Sequence, residues 1–163
     1  MPDPVVVCNT SPLLYLHQVS QLDLLRSLYG EIRIPPAVQA ELRAGAEQGI
    51  DVPRPEQLPW IRIEALLDPS LVPAMVDLGP GEAEAIALAR AIPGSLLILD
   101  DALGRMVAKG SGVLHTGTLG ILVKAKQQGL VTEVRPILEQ LLTTTMYLSG
   151  NLIALVLAEA GES

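Results

Sequence analysis

Leu96-Leu97-Ile98-Leu99-Asp100-Asp101 is the stretch that decides the fold of this chain. Four large aliphatic residues in a row are typical of a strand buried on both faces, as in a parallel sheet covered by helices. The run ends abruptly at two carboxylates, and a helix is predicted to begin at Ala102. In open α/β sheets, ligands bind just beyond the carboxyl ends of such strands. Asp100 and Asp101 are therefore either a helix cap or part of a charged site.

The same pattern, a buried strand followed by polar residues, recurs at two other places in the chain. Residues 5–8 end at Asn9, and residues 113–115 end at Thr116-Gly117-Thr118. Right-handed crossovers bring the carboxyl ends of parallel strands to one edge, so these polar segments are expected to lie beside Asp100. Asn9 is also a good cap for the helix after it. The Thr-Gly-Thr turn suits either a helix cap or a phosphate cradle.

Strands alternate with helices along the chain, which predicts an α/β fold: a three-layer α/β/α sandwich around a mostly parallel sheet. A length of 163 residues suits one domain, so we predict a single domain over 1–163 that includes the C-terminal helices. A helix over 83–92 consists almost wholly of Ala, Ile and Leu and is predicted to be buried. Residues 60–64 predict an edge strand, and residues 70–76 predict a short helix.

Composition excludes several classes of protein. The chain is 49% hydrophobic, which supports an aliphatic core and argues against disorder. One cysteine excludes an internal disulfide, and with two histidines it disfavours a zinc site. There is no nucleotide-binding glycine fingerprint. No apolar run approaches the roughly 20 residues that span a bilayer, and the N-terminus lacks the basic flank of a signal peptide. We therefore expect a cytoplasmic protein without a membrane partner.

The charge of the chain is unevenly distributed. Its net charge of −7 discourages a polyanionic partner. Between residues 102 and 132, however, there is no Asp or Glu, and the four charged residues are Arg105, Lys109, Lys124 and Lys126. This is either chance placement of surface charge or a basic rim beside an acidic centre, as a nucleic-acid partner requires.

Carboxylates gathered at a sheet edge without His or Cys suit a hard cation such as Mg²⁺ or Mn²⁺. Such a cation activates water and neutralises charge on a phosphodiester. For two further carboxylates, Glu41 and Glu82, the sequence does not determine whether they lie at this edge. Glu41 falls on the flank of the apolar stripe of a helix over 36–46, where it either faces solvent or leans toward packed surroundings. Glu82 falls in the first turn of the next helix, where it at least complements the helix dipole.

Several motifs together resemble the PIN-domain family, the fold of nuclease toxins in VapC-type toxin–antitoxin pairs, and in particular a PIN subfamily of unassigned function. The resemblance covers nearly the whole chain. The motifs that carry it are Asn9-Thr10-Ser11-Pro12-Leu13-Leu14, Ile34-Pro35-Pro36-Ala37-Val38 through Glu41-Leu42, residues 78–89, Leu99-Asp100-Asp101, and Thr116-Gly117-Thr118-Leu119-Gly120 with Ala125-Lys126.

This resemblance implies an acidic pocket that binds Mg²⁺ or Mn²⁺ and cleaves single-stranded RNA. Carried over by position, Glu41, Glu82 and Asp100 would hold the ion, with Asp101 beside them. The family's first strand ends in Asp, and Asn9 stands at that place here. Asn9 would ligate the ion or orient its water, in a site weakened by the loss of one negative charge.

The resulting expectation is a metal-dependent endoribonuclease, the toxin-like component of a pair with an antitoxin-like protein, and a homodimer by analogy with the family. The residues expected to contact RNA are Thr116, Thr118, Arg105 and Lys109. A non-catalytic PIN-fold module that binds an antitoxin-like protein or RNA is the main alternative. A different Mg²⁺ enzyme, such as a phosphotransfer receiver or a phosphatase, is less favoured, because a receiver's acid pair normally follows its first strand.

Overall fold

Five parallel strands form the centre of the structure, a computed structural model that describes residues 3–72 and 77–162. Eight α-helices and two short 3-10 turns accompany them in the described residues. In chain order the elements are β1 (Val6–Cys8), α1 (Thr10–Gln18), α2 (Asp23–Tyr29), β2 (Ile32–Ile34), α3 (Pro36–Glu47), a 3-10 turn (Pro55–Gln57), β3 (Ile61–Ile63), a 3-10 turn (Pro69–Leu71), α4 (Pro80–Ala91), β4 (Leu96–Ile98), α5 (Ala102–Gly110), β5 (Leu114–Thr116), α6 (Thr118–Gln127), α7 (Arg135–Leu141) and α8 (Gly150–Glu159).

The strand order is β3-β2-β1-β4-β5, and every neighbouring pair runs parallel. From β1 the chain proceeds outward through β2 and β3, then returns across the sheet to add β4 and β5 on the other side of β1. The order therefore reverses between β1 and β4. In open α/β sheets, the crevice outside the carboxyl ends of two such strands is where ligands bind.

Two helical layers cover the sheet, which confirms the predicted three-layer α/β/α sandwich. Within β1, Val6 and Cys8 point into one layer and Val7 into the other, because successive strand residues face opposite sides. The first layer contains α1, α2, α3, α6, α7 and α8, and the second contains α4 and α5. Burial of each large aliphatic side chain in these layers contributes about 1.5–3 kcal/mol.

Two local predictions are confirmed, and a third differs in part. Helix α4 buries Ala85, Ile86 and Ala87 completely, and β3 lies at an edge of the sheet. Where a helix was predicted over residues 70–76, the structure has a single 3-10 turn over Pro69–Leu71, since the Asp68 side chain accepts the N–H of Ser70 at 3.0 Å and caps it. Residues 73–76 lie outside the described residues.

Among the helices within residues 3–72 and 77–162, none combines the length and the apolarity that crossing a membrane requires.

Candidate active site

Three polar segments lie side by side at the carboxyl edge of the sheet, where the strand order reverses. The N–H of Asn9, just after β1, donates to the carbonyl of Ile98 in β4 at 2.9 Å. The N–H of Leu99 donates to the carbonyl of Thr116 at the end of β5, also at 2.9 Å. Asn9, Asp100 and Thr116 are therefore neighbours along this edge, as the strand-end pattern predicted.

Asp100 is held in one orientation by Thr118. Its Oδ1 accepts the N–H of Thr118 at 2.8 Å, and its Oδ2 accepts the hydroxyl of the same residue at 2.6 Å. Burial raises the pKa of Asp100, while these two hydrogen bonds and the nearby Arg105 guanidinium act to lower it. A Cβ at Gly117 would lie 2.8 Å from Oδ1, so this close approach requires glycine. The carboxylate is thus fixed at the edge by a buried scaffold.

Asn9 places an unpaired oxygen inside the site. Asn9 is 5% exposed, and its buried Oδ1 accepts no hydrogen bond from the part of the chain that the structure describes. Although Asn9 precedes α1, its side chain forms no capping hydrogen bond, so it does not act as the helix cap that the sequence also allowed. A buried acceptor without a donor is costly, by about 1–3 kcal/mol. Such a group needs an explanation, and an ion is one of the partners that provides it.

Glu41 connects three helices. From α3, its Oε1 accepts the hydroxyl of Thr10 in α1 at 2.5 Å, and its Oε2 accepts the N–H of Gly81 in α4 at 2.8 Å. A Cβ at Gly81 would overlap this carboxylate, so Glu41 occupies space that only glycine leaves free. The sequence left open whether Glu41 faces solvent or leans inward, and the structure shows the inward orientation.

Glu82 lies in the first turn of α4, directly after Gly81. The pKa of Glu82 is raised to about 7, by its partial burial first and then by the carboxylates of Asp101 and Glu41. The backbone of Gly104 is close as well, since a Cβ there would lie 3.5 Å from Glu82 Cδ. Within residues 3–72 and 77–162, no salt bridge pairs Glu82 with a cation, and its neighbouring carboxylates add negative charge to the site.

Asp101 is exposed and caps the next helix. Its Oδ2 accepts the N–H of Gly104 at 2.8 Å, at the N-terminus of α5. Of the two interpretations that the sequence allowed, cap or site, the cap is therefore present in the structure. Asp101 is still close enough to Glu82 to raise the pKa of that carboxyl, so it also contributes to the charge of the site.

The predicted cations do not form a rim around these acids. Helices α5 and α6 both begin at the carboxyl edge and run away from it. Arg105 is one turn into α5, but Lys109 is at the far end, about 10 Å further from the edge than Ala102. In the last turn of α6, Lys124 lies 4.7 Å from the ring centre of Tyr29, and Lys126 pairs with Glu162 at 3.0 Å. Only Arg105 remains beside Asp100.

Thr116 and Thr118, the predicted phosphate contacts, have different surroundings. Thr118 is 0% exposed, and its N–H and hydroxyl both donate to Asp100. Both donors of Thr118 therefore hold Asp100 in place, and neither is left to bind a phosphate. Thr116 is partly exposed at the end of β5. Its hydroxyl lies so close to Gly120 that a Cβ added to Gly120 would overlap it.

A family model, DUF3368, which is described as a PIN domain, matches residues 5–162. The chain belongs to the PIN-domain family. Among solved structures, it is similar to a PilT N-terminus domain protein, SSO1118, from the hyperthermophilic archaeon Sulfolobus solfataricus P2. The TM-score is 0.51 at 18% sequence identity, over 89% of this chain and 97% of that chain. At this identity the likeness shows the fold alone. No curated protein matches the chain.

PIN domains are generally nucleases, and they typically use divalent metal ions. Within the described ranges 3–72 and 77–162, no three side chains among His, Cys, Asp and Glu form a ready-made metal-ligating group. What fits a hard cation here is the donor chemistry: the unpaired Oδ1 of Asn9 and the carboxylates of Glu82 and Asp100, all oxygen. The wider ligand set predicted from the sequence stays a prediction: Asn9, Glu41, Glu82, Asp100 and Asp101.

Two residues that support the site of this PIN domain were missed by the sequence analysis. Thr10 and Gly81 hold both oxygens of Glu41. Thr10 had a detectable signal, because its hydroxyl follows Asn9 directly at a strand end. Gly81 acts through its main-chain N–H, which every residue except proline has, so no side-chain pattern indicates it.

Proposed function

We propose that this PIN domain is a metal-dependent ribonuclease that cleaves single-stranded RNA. The observation that carries the proposal is the unpaired Oδ1 of Asn9, buried at the edge where the pKa values of Glu82 and Asp100 are both raised. Glu82, whose pKa is raised by burial and by two neighbouring carboxylates, and an acceptor that lacks a donor together form an environment that a divalent cation stabilises. Membership of a family of nucleases supports hydrolysis of a phosphodiester as the reaction.

In this proposal Asn9, Glu82 and Asp100 would hold Mg²⁺ or Mn²⁺. When bound, the cation would activate water and neutralise charge on the phosphodiester. Thr118 keeps the Asp100 carboxylate turned to one orientation through its two hydrogen bonds. Glu41 would support the site by position, since its hydrogen bonds from Thr10 and Gly81 join α1 and α4 to α3 beside Glu82. It still adds negative charge close to Glu82.

The test is cleavage of a labelled single-stranded RNA in Mg²⁺, in Mn²⁺ and in EDTA. The parent is expected to cleave only with metal, and Asp100→Asn to lose this activity. Asn9→Asp supplies the acid that the resemblance places at the end of the first strand, and we expect it to cleave faster at low metal concentration. Asp23→Asn, an exposed acid in α2, is the matched control and should equal the parent. Equal cleavage by Asp100→Asn and the parent would contradict the assigned site.

A second candidate function is a non-catalytic PIN module that binds an antitoxin-like protein or RNA. The observation that favours it is the amide of Asn9 where the family's motif has a carboxylate, which removes one negative charge from the cation site. Isothermal titration with Mn²⁺ distinguishes the two functions. A parent that does not bind the ion, with binding restored in Asn9→Asp, supports the module and contradicts the nuclease.

The biological setting of the nuclease is also a proposal. By analogy with VapC-type toxins, we propose that the protein acts in the cytoplasm as a homodimer, paired with an antitoxin-like protein. Light scattering of the purified chain tests the dimer. Growth arrest on expression of the parent, absent with Asp100→Asn, tests the toxin role. Normal growth with a parent that cleaves RNA in vitro would contradict the toxin role but not the nuclease.

A further inference from the structure

A groove of about 450 Å³ runs along the molecule from the candidate active site. Asp100 lines it, as do Arg105, which is exposed on α5, and His115 of β5. Its other side is formed by Tyr147 and by Leu152 and Leu155 of α8. A volume of this size is in the range of pockets that hold a drug-sized molecule, so it is large enough for a nucleotide.

The direction of α8 shows which end of the groove is nearest to the site. Helices α6 and α8 pack against each other, and their C-terminal ends lie together. Lys126, near the end of α6, contacts Glu162, just past the end of α8, at 3.0 Å. The two packed helices therefore run in the same direction. Because α6 begins at the carboxyl edge, the loop before α8 lies toward that edge too. Tyr147 is in this loop, whereas Glu159, at the other end of α8, lies away from the site.

The two sides of the groove differ chemically. On the side of α5 and β5, the Arg105 guanidinium offers donors to an anion, and the His115 ring is a further polar group on that wall. On the opposite side, Tyr147 is 86% exposed and Leu155 is 62% exposed, so an aromatic face and an aliphatic surface are open to solvent. A single strand of RNA has the matching asymmetry, with phosphates along one side and flat, largely apolar bases on the other.

We propose that this groove is the path of single-stranded RNA toward Asp100, with the backbone along Arg105 and a base stacked on the ring of Tyr147. The proposal rests on the ribonuclease function and adds a residue that selects unpaired bases. A base inside a duplex is already stacked and does not present its face to a side chain, so stacking on the ring of Tyr147 favours single strands. Glu159, at the distant end of the groove, repels phosphate.

A second copy of the chain is the competing occupant, because Leu152 and Leu155 would also suit a protein interface. The groove is continuous with the candidate active site, and Arg105 and His115 give it a polar wall. Continuity with a nuclease site and the Arg105 guanidinium on one wall favour the polyanion as the occupant of this groove.

The test is fluorescence anisotropy with a labelled RNA strand of about twelve adenosines, in EDTA so that the strand is not cleaved. Tyr147→Leu keeps apolar bulk but removes the aromatic face, and we expect it to weaken binding about ten-fold. Tyr147→Phe should bind within about two-fold of the parent. Leu67→Ala, at a fully exposed position beside a different pocket, is the control and should equal the parent.

A strand of the same length whose bases are replaced by abasic sites separates stacking from other effects. Parent and Tyr147→Leu are expected to bind it equally weakly. Arg105→Gln should weaken binding of both strands and reduce the dependence of affinity on salt. Loss of affinity in Tyr147→Leu that is equal for both strands would overturn the proposal. So would unchanged RNA affinity together with an altered oligomeric state on light scattering.

The same measurements keep this proposal distinct from the ribonuclease assignment. A parent that binds the adenosine strand through Tyr147 but never cleaves it with Mn²⁺ supports the groove and contradicts the nuclease. A parent that cleaves RNA while Tyr147→Leu binds normally contradicts the groove and leaves the nuclease intact. A parent that binds no strand in EDTA and cleaves none with Mn²⁺ overturns both.

Discussion

The carboxylate of Glu41 accepts the backbone N–H of Gly81 at 2.8 Å, and this contact joins α3 to the first turn of α4. It satisfies one of the N–H groups that a helix N-terminus leaves without a partner, and it places negative charge at the positive end of the helix dipole. Glu82 follows Gly81 directly, so the contact also determines where that carboxylate lies. Glu41 thus has a structural task that does not depend on a metal ion.

Gly81→Ala is expected to destabilise the protein by about 1–3 kcal/mol, because the added Cβ would overlap the Glu41 carboxylate. Thermal unfolding in EDTA measures the effect without any contribution from metal. Gly110→Ala is the matched control: it lies in α5, and a Cβ there would meet nothing within 4 Å. It should be neutral or slightly stabilising. An equal loss of stability in both variants would show that the Glu41 contact is not the cause.

Thr118→Val should weaken the hydrogen bonding that holds the Asp100 carboxylate in its orientation. The substitution keeps the size of the side chain and the backbone N–H, but it removes the hydroxyl that donates to Asp100 Oδ2 at 2.6 Å. We expect a loss of about 1–3 kcal/mol in the free energy of unfolding and a marked loss of RNA cleavage. Thr118→Ser retains the hydroxyl and should recover most of both. Cleavage that survives undiminished in the valine variant would contradict the holding role of Thr118.

Stability of the metal-free protein should fall as the pH rises through the range in which Glu82 titrates. The folded-state pKa of about 7 is above the ordinary value of 4.5, so between these pH values the unfolded chain has released a proton that the folded chain retains. Glu82→Gln removes this cost. In EDTA at pH 8 we expect its Tm to exceed that of the parent by about 2–4 °C, after allowance for solvent screening, with little difference at pH 4.

Glu139→Gln, at an exposed position in α7, is the control for Glu82→Gln and should follow the parent at both pH values. Addition of Mn²⁺ should reverse the order, because the parent gains stability from the bound ion and the glutamine variant gains less. A glutamine variant that is less stable than the parent at pH 8 in EDTA would refute the assignment of unbalanced charge to Glu82.

The contribution of Glu162 to the stability of the protein should depend on pH in the opposite direction. Its carboxylate accepts the N–H groups of Val134 and Arg135 and pairs with Lys126, and the first of these bonds contributes most to lowering its pKa to about 2. The stabilisation is present above the ordinary value of 4.5 and is lost as the pH falls toward 2. Glu162→Gln should cost about 1–3 kcal/mol at pH 7 and less at pH 3.

Unfolding curves of the Glu162→Gln variant at pH 7, 5 and 3 provide the measurement. Glu159→Gln, an exposed position one turn earlier in α8, is the matched control and should change stability little. A difference between Glu162→Gln and the parent that stays constant from pH 7 to pH 3 would mean that the glutamine amide, not the lost charge, causes the effect.

The sequence by itself determined the layers of the fold and the edge at which the polar residues meet. Aliphatic runs such as Leu96–Ile98 have to be buried on both faces, and right-handed crossovers leave one edge for the residues that follow them. Asn9, Asp100 and Thr116 were predicted as neighbours for this reason. Hydrophobic periodicity also indicated that α4 is buried, since a helix apolar on nearly all sides is stable only when it is covered.

Only the tertiary structure decided which donors each carboxylate meets. The bonds from Thr118 to Asp100 and from Gly81 to Glu41 depend on how separate elements pack, and two of the three use a main-chain N–H that no residue type indicates. The direction in which α5 and α6 leave the edge likewise left Arg105 nearer to Asp100 than Lys109 or Lys126. Periodicity in a sequence describes which face of an element is buried. Distances between atoms of different elements are set by how those faces pack together in three dimensions.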